Sequence, residues 1–65
     1  MPMITFESGQ LTDEVRAELL DRLTEVAAEI TGISKSLFFV SIRELPDTSI
    51  AVGGKTVKQL KQENV

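Results

Sequence analysis

The sequence predicts an α/β fold: a single β-α-β unit with a short C-terminal β-hairpin, completed by oligomerisation. Two observations define the unit. Two short stretches alternate between apolar and polar residues, as strands do, and a longer stretch with helical spacing of apolar residues separates them. The third observation is size, because a chain of 65 residues without cysteine is only marginally stable alone unless a metal or partner subunits add to its core. We therefore expect residues 1–65 to form one domain that oligomerises.

The first strand is predicted from Pro2 to Glu7. Successive side chains of a strand point to opposite faces, so Pro2, Ile4 and Phe6 share one face and the residues between them share the other. Proline has no N–H group to donate, but the first position of a strand tolerates it.

The helix is predicted from Thr12 to Thr31. Thr12 suits the N-cap position, and Asp13 and Glu14 place carboxylates in the first turn, where the helix dipole favours them. Gly32 follows, where a glycine commonly ends a helix. Apolar residues recur at intervals of three and four and predict an apolar stripe made of Val15, Leu19, Leu23, Val26 and Ile30, widened by Leu20 and Ala27.

The second strand is predicted from Leu37 to Leu45, parallel to the first and joined to it by a right-handed crossover. Its alternation puts Phe38 and Phe39 on opposite faces, and the face of Phe39 also carries Arg43. Because each face has a phenylalanine, we expect both to be covered, with Phe38 or Phe39 buried by a neighbouring subunit.

The remaining residues predict a small hairpin and a tail. Ile50 to Val52 is a short apolar stretch, and the Gly53-Gly54 dipeptide after it suits a tight turn. The tail from Lys58 to Val65 is expected to be loosely held.

Composition argues against several classes of function. The net charge is −3, with 7 Lys and Arg against 10 Asp and Glu, which disfavours a nucleic-acid partner. No apolar run approaches the roughly 18 residues of a membrane span, and the N-terminus lacks the features of a signal peptide, so we expect a cytoplasmic protein with no membrane partner. With no cysteine, no histidine and no calcium-loop spacing of carboxylates, no metal site is predicted.

One motif resembles a nucleotide site. Ser49 to Thr56 is similar to the phosphate-binding loop G-x-x-x-x-G-K-[ST]. However, Ser49 replaces the leading glycine, and too few residues follow Thr56 to build the supporting fold. Nucleotide binding is therefore not predicted.

The order of these elements resembles the 4-oxalocrotonate tautomerase family over nearly the whole chain. The residues that carry the resemblance are Pro2-Met3-Ile4, Thr12-Asp13-Glu14, Glu44 and Ala51-Val52-Gly53-Gly54-Lys55. The resemblance implies a homohexamer with sites between subunits, with a dimer as the alternative. It also implies a tautomerase or isomerase that acts on a small oxo acid, and no cofactor.

The same resemblance implies a role for Pro2. In the family, Met1 is removed and the free amine of the proline is the general base that moves a proton within an enol or dienol. A secondary amine is normally too basic for this task, and an apolar pocket would lower its pKa toward the ambient pH. A nearby cation or hydrogen-bond donor would stabilise the enolate charge that develops.

Three positions depart from the family pattern. Better-known members carry arginines where this chain has Gln10 and Phe39, and an aromatic residue that lines the pocket where it has Ile50. Arg43 is the candidate replacement for binding a substrate carboxylate, since arginine binds carboxylates with two hydrogen bonds; the alternative is a solvated charge or an intersubunit ion pair. Phe39 and Ile50 are candidate substrate contacts, with ordinary interface packing as the alternative.

Two other functions stay open at this point. A non-catalytic small-molecule-binding or assembly module of the same fold fits the missing arginines. If Met1 stays on the chain, the nitrogen of Pro2 is part of an amide and cannot act as a base. A different activity on the same scaffold, such as dehalogenation or decarboxylation, would need further polar groups that the sequence does not identify.

Overall fold

A computed structural model describes residues 1–63 and confirms the β-α-β unit with its C-terminal hairpin. A 3₁₀ turn at Lys35–Leu37 precedes the second strand. The elements, in chain order, are β1 (Met3–Ser8), α1 (Asp13–Thr31), β2 (Phe39–Glu44), β3 (Ala51–Val52), β4 (Lys55–Thr56) and α2 (Val57–Glu63). None of the helices in these residues is long and apolar enough to cross a membrane.

Strands β1 and β2 pair in parallel, as the crossover through α1 requires. The register runs from Met3 opposite Phe39 to Ser8 opposite Glu44. One backbone hydrogen bond extends the pairing at the start of the ladder, where the N–H of Phe39 donates to the carbonyl oxygen of Pro2 (3.0 Å). These contacts fix which residues lie at each end of the two-stranded sheet.

The sheet has one half-buried face and one open face, which confirms the predicted alternation. Exposed and half-buried residues alternate along both strands. The half-buried residues lie on the side of α1 and are Ile4, Phe6, Ser8, Val40, Ile42 and Glu44. The open face holds Met3, Thr5, Glu7, Phe39, Ser41 and Arg43. Among the described residues of this single chain none is fully buried, and none packs as a layer on the open face of the sheet.

Both ends of α1 form as predicted. The hydroxyl of Thr12 accepts a hydrogen bond from the backbone N–H of Val15 (3.2 Å), as an N-cap does. Gly32 has φ of 75° and donates its N–H to the carbonyl oxygen of Ala28 (2.9 Å), which ends the helix in the left-handed region that favours glycine.

Part of the predicted apolar stripe of α1 is exposed in the single chain. Val15, Val26 and Ile30 are 46%, 53% and 79% exposed. The side chains that α1 turns inward instead include Arg16 and Thr24 beside Leu20, Leu23 and Ala27. Arg16 bonds to Glu44 at the end of β2, and this contact holds a polar side chain of α1 against the sheet.

Several boundaries differ from the sequence prediction, and β2 ends at Glu44, one residue before the predicted Leu45. Strand β2 begins at Phe39 rather than Leu37, because the backbone turns at Lys35–Leu37 and the N–H of Leu37 donates to Ser34 (3.0 Å). Strand β1 is shifted by one residue and ends at Ser8. The tail is not loose up to Glu63, because α2 forms and the N–H of Val57 donates to the carbonyl oxygen of Ile50 (2.8 Å). Residues 64 and 65 of the predicted tail lie outside the described residues.

The predicted hairpin is present. Strands β3 and β4 are antiparallel, with Val52 opposite Lys55. Between them Gly53 and Gly54 have φ of 61° and 86°, the two positive values that a type I′ hairpin turn requires.

Candidate active site

Pro2 lies half-buried immediately before β1. Its carbonyl oxygen accepts the backbone N–H of Phe39, which holds the first residues of the chain against the start of β2. A proline within a chain has no N–H group to donate to the ladder, so no hydrogen bond of the sheet depends on the nitrogen of Pro2. The structure therefore brings two of the predicted site residues, Pro2 and Phe39, to one end of the sheet.

Arg43 and Ile50 lie at the other end. Arg43 stands opposite Glu7, with 3.7 Å between Nη1 and Oε1. Ile50 lines a shallow depression together with Glu7, Ser8 and Leu45. Four strand positions separate Phe39 from Arg43, which at about 3.3 Å each is a distance of roughly 13 Å. A single chain does not bring the four predicted residues together.

A hydrogen-bonded cluster joins the start of α1 to the end of β2. The carboxylate of Glu44 accepts the backbone N–H of Leu11 at Oε1 (2.8 Å) and the Nε–H of Arg16 at Oε2 (2.6 Å). Arg16 also donates to Asp13 (2.7 Å) and to the carbonyl oxygen of Leu11 (3.1 Å). We call Leu11, Asp13, Arg16 and Glu44 the Glu44 cluster. The sequence identified Glu44 as part of a motif, and the structure supplies its partners.

The cluster fixes the charge of its two main members. The hydrogen bond from Arg16 lowers the pKa of Glu44, and the N–H of Leu11 lowers it further. In turn, the hydrogen bonds to Glu44 and Asp13 raise the pKa of Arg16 above its already high value. Both groups stay ionised and paired at neutral pH, so neither is free to act on a substrate. The cluster has a structural role.

Most of the positive charges in the described part of the chain have a carboxylate partner. Besides Arg16 and Arg43, these are Arg22 with Glu18 (3.0 Å), Lys55 with Glu63 (2.9 Å) and Lys61 with Asp47 (2.8 Å). Within residues 1–63 the two lysine or arginine side chains without such a partner are those of Lys35 and Lys58. Lys35 belongs to the turn before β2, and sequence reasoning had assigned it only to a turn.

Comparison with known proteins gives the family. The model of the tautomerase enzyme family matches residues 2–60. The chain belongs to the tautomerase family. A 2-hydroxymuconate tautomerase of Bacillus subtilis (strain 168) is 32% identical over 62 residues, which are 94% of this chain and 100% of that protein.

Solved structures of other tautomerase homologues share the fold. TomN, a 4-oxalocrotonate tautomerase homologue in the tomaymycin biosynthetic pathway, has a TM-score of 0.92 at 25% identity and covers 98% of this chain and 100% of its own. A heterohexamer 4-oxalocrotonate tautomerase from Chloroflexus aurantiacus J-10-fl has a TM-score of 0.77 at 31% identity, with 92% and 98% of the chains covered. The predicted family resemblance is confirmed.

Within this tautomerase-family chain, the structure sorts the candidate residues by position. Pro2, Phe39 and Lys35 lie near the start of the β1–β2 ladder, and Arg43 and Ile50 lie near its end. Residues 1–63 hold no group of three or more side chains suited to bind a metal. The start of the ladder thus brings together Pro2, the exposed side chain of Phe39 and the backbone of Lys35.

Proposed function

We propose that this protein is a tautomerase that moves a proton within a small enol or dienol oxo acid. The general base is the amine of Pro2, which becomes free when Met1 is removed. The observation that carries this proposal is the placement of Pro2 beside β2, held by the hydrogen bond from Phe39, in a chain that matches the tautomerase family from residue 2 onward. The similarity to a protein named 2-hydroxymuconate tautomerase supports the same class of reaction.

The reaction needs a base that is partly uncharged at neutral pH. The amine removes a proton from one atom of the conjugated system of the substrate, either the enol oxygen or a carbon next to the carbonyl group. The ammonium group that results returns the proton to another atom of the same system. Apolar surroundings disfavour the ammonium form of the amine and leave more of it as the free base. Met3 and Phe39, which are 73% and 52% exposed in the single chain, supply apolar surface at this end once a neighbouring subunit covers them.

The site is completed between subunits. Because Arg43 and Ile50 lie far from Pro2 in one chain, they contribute only if the end of a neighbouring sheet meets the start of this one. The contact of Arg43 with Glu7 is 3.7 Å, longer than a hydrogen bond, so its guanidinium group keeps donors for a substrate carboxylate. Phe39 and Ile50 would then contact the body of the substrate from two subunits.

The assembly that we propose is a homohexamer, with a dimer as the alternative, and residues 1–65 form its single domain. The absence of any fully buried residue among residues 1–63 of one chain supports it, because a stable fold needs a core that excludes water. The Chloroflexus protein, which is a heterohexamer, supports a hexamer as an assembly for this fold.

The experiment measures assembly and turnover in one preparation. Light scattering of the protein without Met1 is expected to show an oligomer at micromolar concentration. The same sample is expected to accelerate the tautomerisation of phenylpyruvate above the rate in buffer. A stable folded monomer would contradict the assembly, and a homogeneous Met-free oligomer with no rate on several oxo acids would contradict the activity.

A non-catalytic binding or assembly module is the second candidate. Gln10 and Phe39 favour it, because arginines stand at these two positions in the family members that bind dicarboxylates. Calorimetry separates the two proposals: an oligomer that binds oxo acids without accelerating their tautomerisation would be a binding module.

A further inference from the structure

The turn before β2 places a lysine at the Pro2 end of the sheet. The N–H of Phe38 donates to the carbonyl oxygen of Lys35 (3.1 Å), and the N–H of the next residue, Phe39, donates to the carbonyl oxygen of Pro2 (3.0 Å). Since consecutive residues are at most about 3.8 Å apart, these two bonds hold the carbonyl oxygens of Lys35 and Pro2 within roughly 10 Å of each other. The flexible four-carbon stem of a lysine spans a further distance of about 6 Å.

The backbone of this lysine is fixed by the turn. The carbonyl oxygen of Ser34 accepts the N–H of Leu37 (3.0 Å), and the hydroxyl of Ser34 accepts the N–H of Ser36 (3.4 Å). Lys35 is thus anchored by its own turn on one side and by β2 on the other. The long side chain lets its ammonium group move, but these backbone hydrogen bonds fix the position of its Cα atom.

The charge of Lys35 is available to a ligand. Its side chain is exposed and has no carboxylate within 4.0 Å in residues 1–63, unlike five of the seven cations of the chain. Lys58 shares this property but lies on α2, where its N–H donates to the carbonyl oxygen of Asp47 (3.2 Å) beyond the end of β2. Lys35 is therefore the available cation near Pro2.

Exposed apolar residues accompany Lys35 at this end of the sheet, next to the hydroxyls of Ser34 and Ser36. Leu37 in the same turn is 44% exposed, and Phe39 and Met3 at the start of the ladder are 52% and 73% exposed. Ammonium and carboxylate attract each other more strongly beside apolar surface than in bulk water. One cation with apolar surface on one side is complementary to a ligand with one carboxylate and an apolar body.

We infer that Lys35 binds the carboxylate of the substrate beside Pro2, and that the substrate class is a 2-oxo monocarboxylate with an apolar side chain. This inference rests on the proposed function and deepens it. Lys35 belongs to the same subunit as the base, so it fixes the reacting end of the substrate over Pro2 whichever assembly forms. Arg43 of a neighbouring subunit would approach from the other side of the interface.

The test compares two lysine variants of the Met-free protein. Lys35→Gln is expected to raise KM for phenylpyruvate about 10-fold, the lower limit for losing a hydrogen bond to a charged group, with kcat nearly unchanged. Lys35→Arg keeps the charge and is expected to restore most of the lost affinity. Lys58→Gln removes the other lysine without an ion pair and is expected to leave KM unchanged.

A neutral substrate separates charge recognition from damage to the turn. The methyl ester of phenylpyruvate has no carboxylate, so Lys35→Gln is expected to leave its KM unchanged, whereas a distorted turn would raise KM for acid and ester alike. An unchanged KM for the acid, or an equal rise for the ester, would overturn the inference.

The failure of this inference differs from the failure of the proposed function. If the wild-type protein turns over phenylpyruvate and Lys35→Gln does so with the same KM, the tautomerase stands and the role of Lys35 is wrong. If the wild-type protein has no turnover, the proposed function is wrong, and calorimetry with phenylpyruvate then decides on Lys35. Tighter binding to the wild type than to Lys35→Gln supports it, and equal or absent binding overturns it.

Discussion

The two ends of the β1–β2 ladder use their polar groups in opposite ways. At the far end, the Glu44 cluster joins a carboxylate, a guanidinium group and a backbone amide through hydrogen bonds of 2.6 to 2.8 Å. At the near end, one backbone hydrogen bond holds Pro2 to Phe39, and Lys35 has no carboxylate partner within residues 1–63. The first set of groups is occupied within the chain, and the second is not.

This difference separates a region whose polar groups are occupied within the chain from the region that we propose as the active site. Groups that satisfy one another inside the chain hold α1 on the sheet and are poor candidates for substrate binding. Groups without partners in the chain are open to a ligand or to a second subunit. A charged residue is therefore interpreted by what it already contacts, and Arg43, whose contact with Glu7 is long and exposed, lies between the two cases.

The substitution Pro2→Ala tests the near end and should have the largest effect on activity. Removing a general base is expected to lower kcat/KM by about 100-fold or more. The fold should survive, because Pro2 donates no hydrogen bond to the ladder. Rates of Met-free protein, with circular dichroism and light scattering as controls for fold and assembly, would check this; activity within a few-fold of the wild type would remove Pro2 from the mechanism.

The substitution Arg43→Ala tests the intermediate case. If Arg43 of a neighbouring subunit binds the substrate carboxylate, its loss should lower kcat/KM for an acidic substrate by roughly 10- to 150-fold. Arg22→Ala is a matched control, because Arg22 also forms an exposed pair, with Glu18 on α1. Unchanged kinetics in an intact oligomer would assign Arg43 to surface or interface structure.

The substitution Glu44→Gln tests the far end through stability rather than activity. The pKa of Glu44 is lower in the folded chain than the usual value of about 4.3 for glutamate. Its carboxylate therefore stabilises the fold above pH of about 4.3, and this contribution is lost as the pH falls through the lowered pKa.

Melting curves across pH measure that contribution. Glu44→Gln is expected to melt below the wild type at pH 7, with the gap closing in acid. Glu25→Gln is the control, because Glu25 is exposed on α1 and should change the melting temperature little. A gap that does not depend on pH would mean that the charge of Glu44 does not stabilise the fold.

The elements that could be predicted are those with local signals. Thr12 and Gly32 mark the ends of α1 because a cap depends on residues within one turn, and both are confirmed. Gly53-Gly54 marks the hairpin for the same reason. The start of β2 was missed because the local hydrogen bonds of Ser34 form a turn where alternation alone suggested a strand.

The parts that could not be predicted depend on distant contacts. Arg16 meets Glu44 across 28 positions of the chain, and no periodicity within α1 shows that this residue, rather than Val15, turns toward the sheet. The position of Lys35 relative to Pro2 follows from the register of β1 and β2, which no short motif contains. The roles of Pro2, Arg43, Phe39 and Ile50 stay predictions.

The most direct test of the central claim compares the same protein with and without Met1. Intact mass gives the fraction of chains that begin at Pro2, and the tautomerisation rate of phenylpyruvate is measured on preparations in which that fraction differs. If the amine of Pro2 is the base, the rate rises in proportion to the Met-free fraction and approaches the buffer rate when Met1 is retained. A rate that does not depend on that fraction, in oligomers of equal size, would contradict the claim.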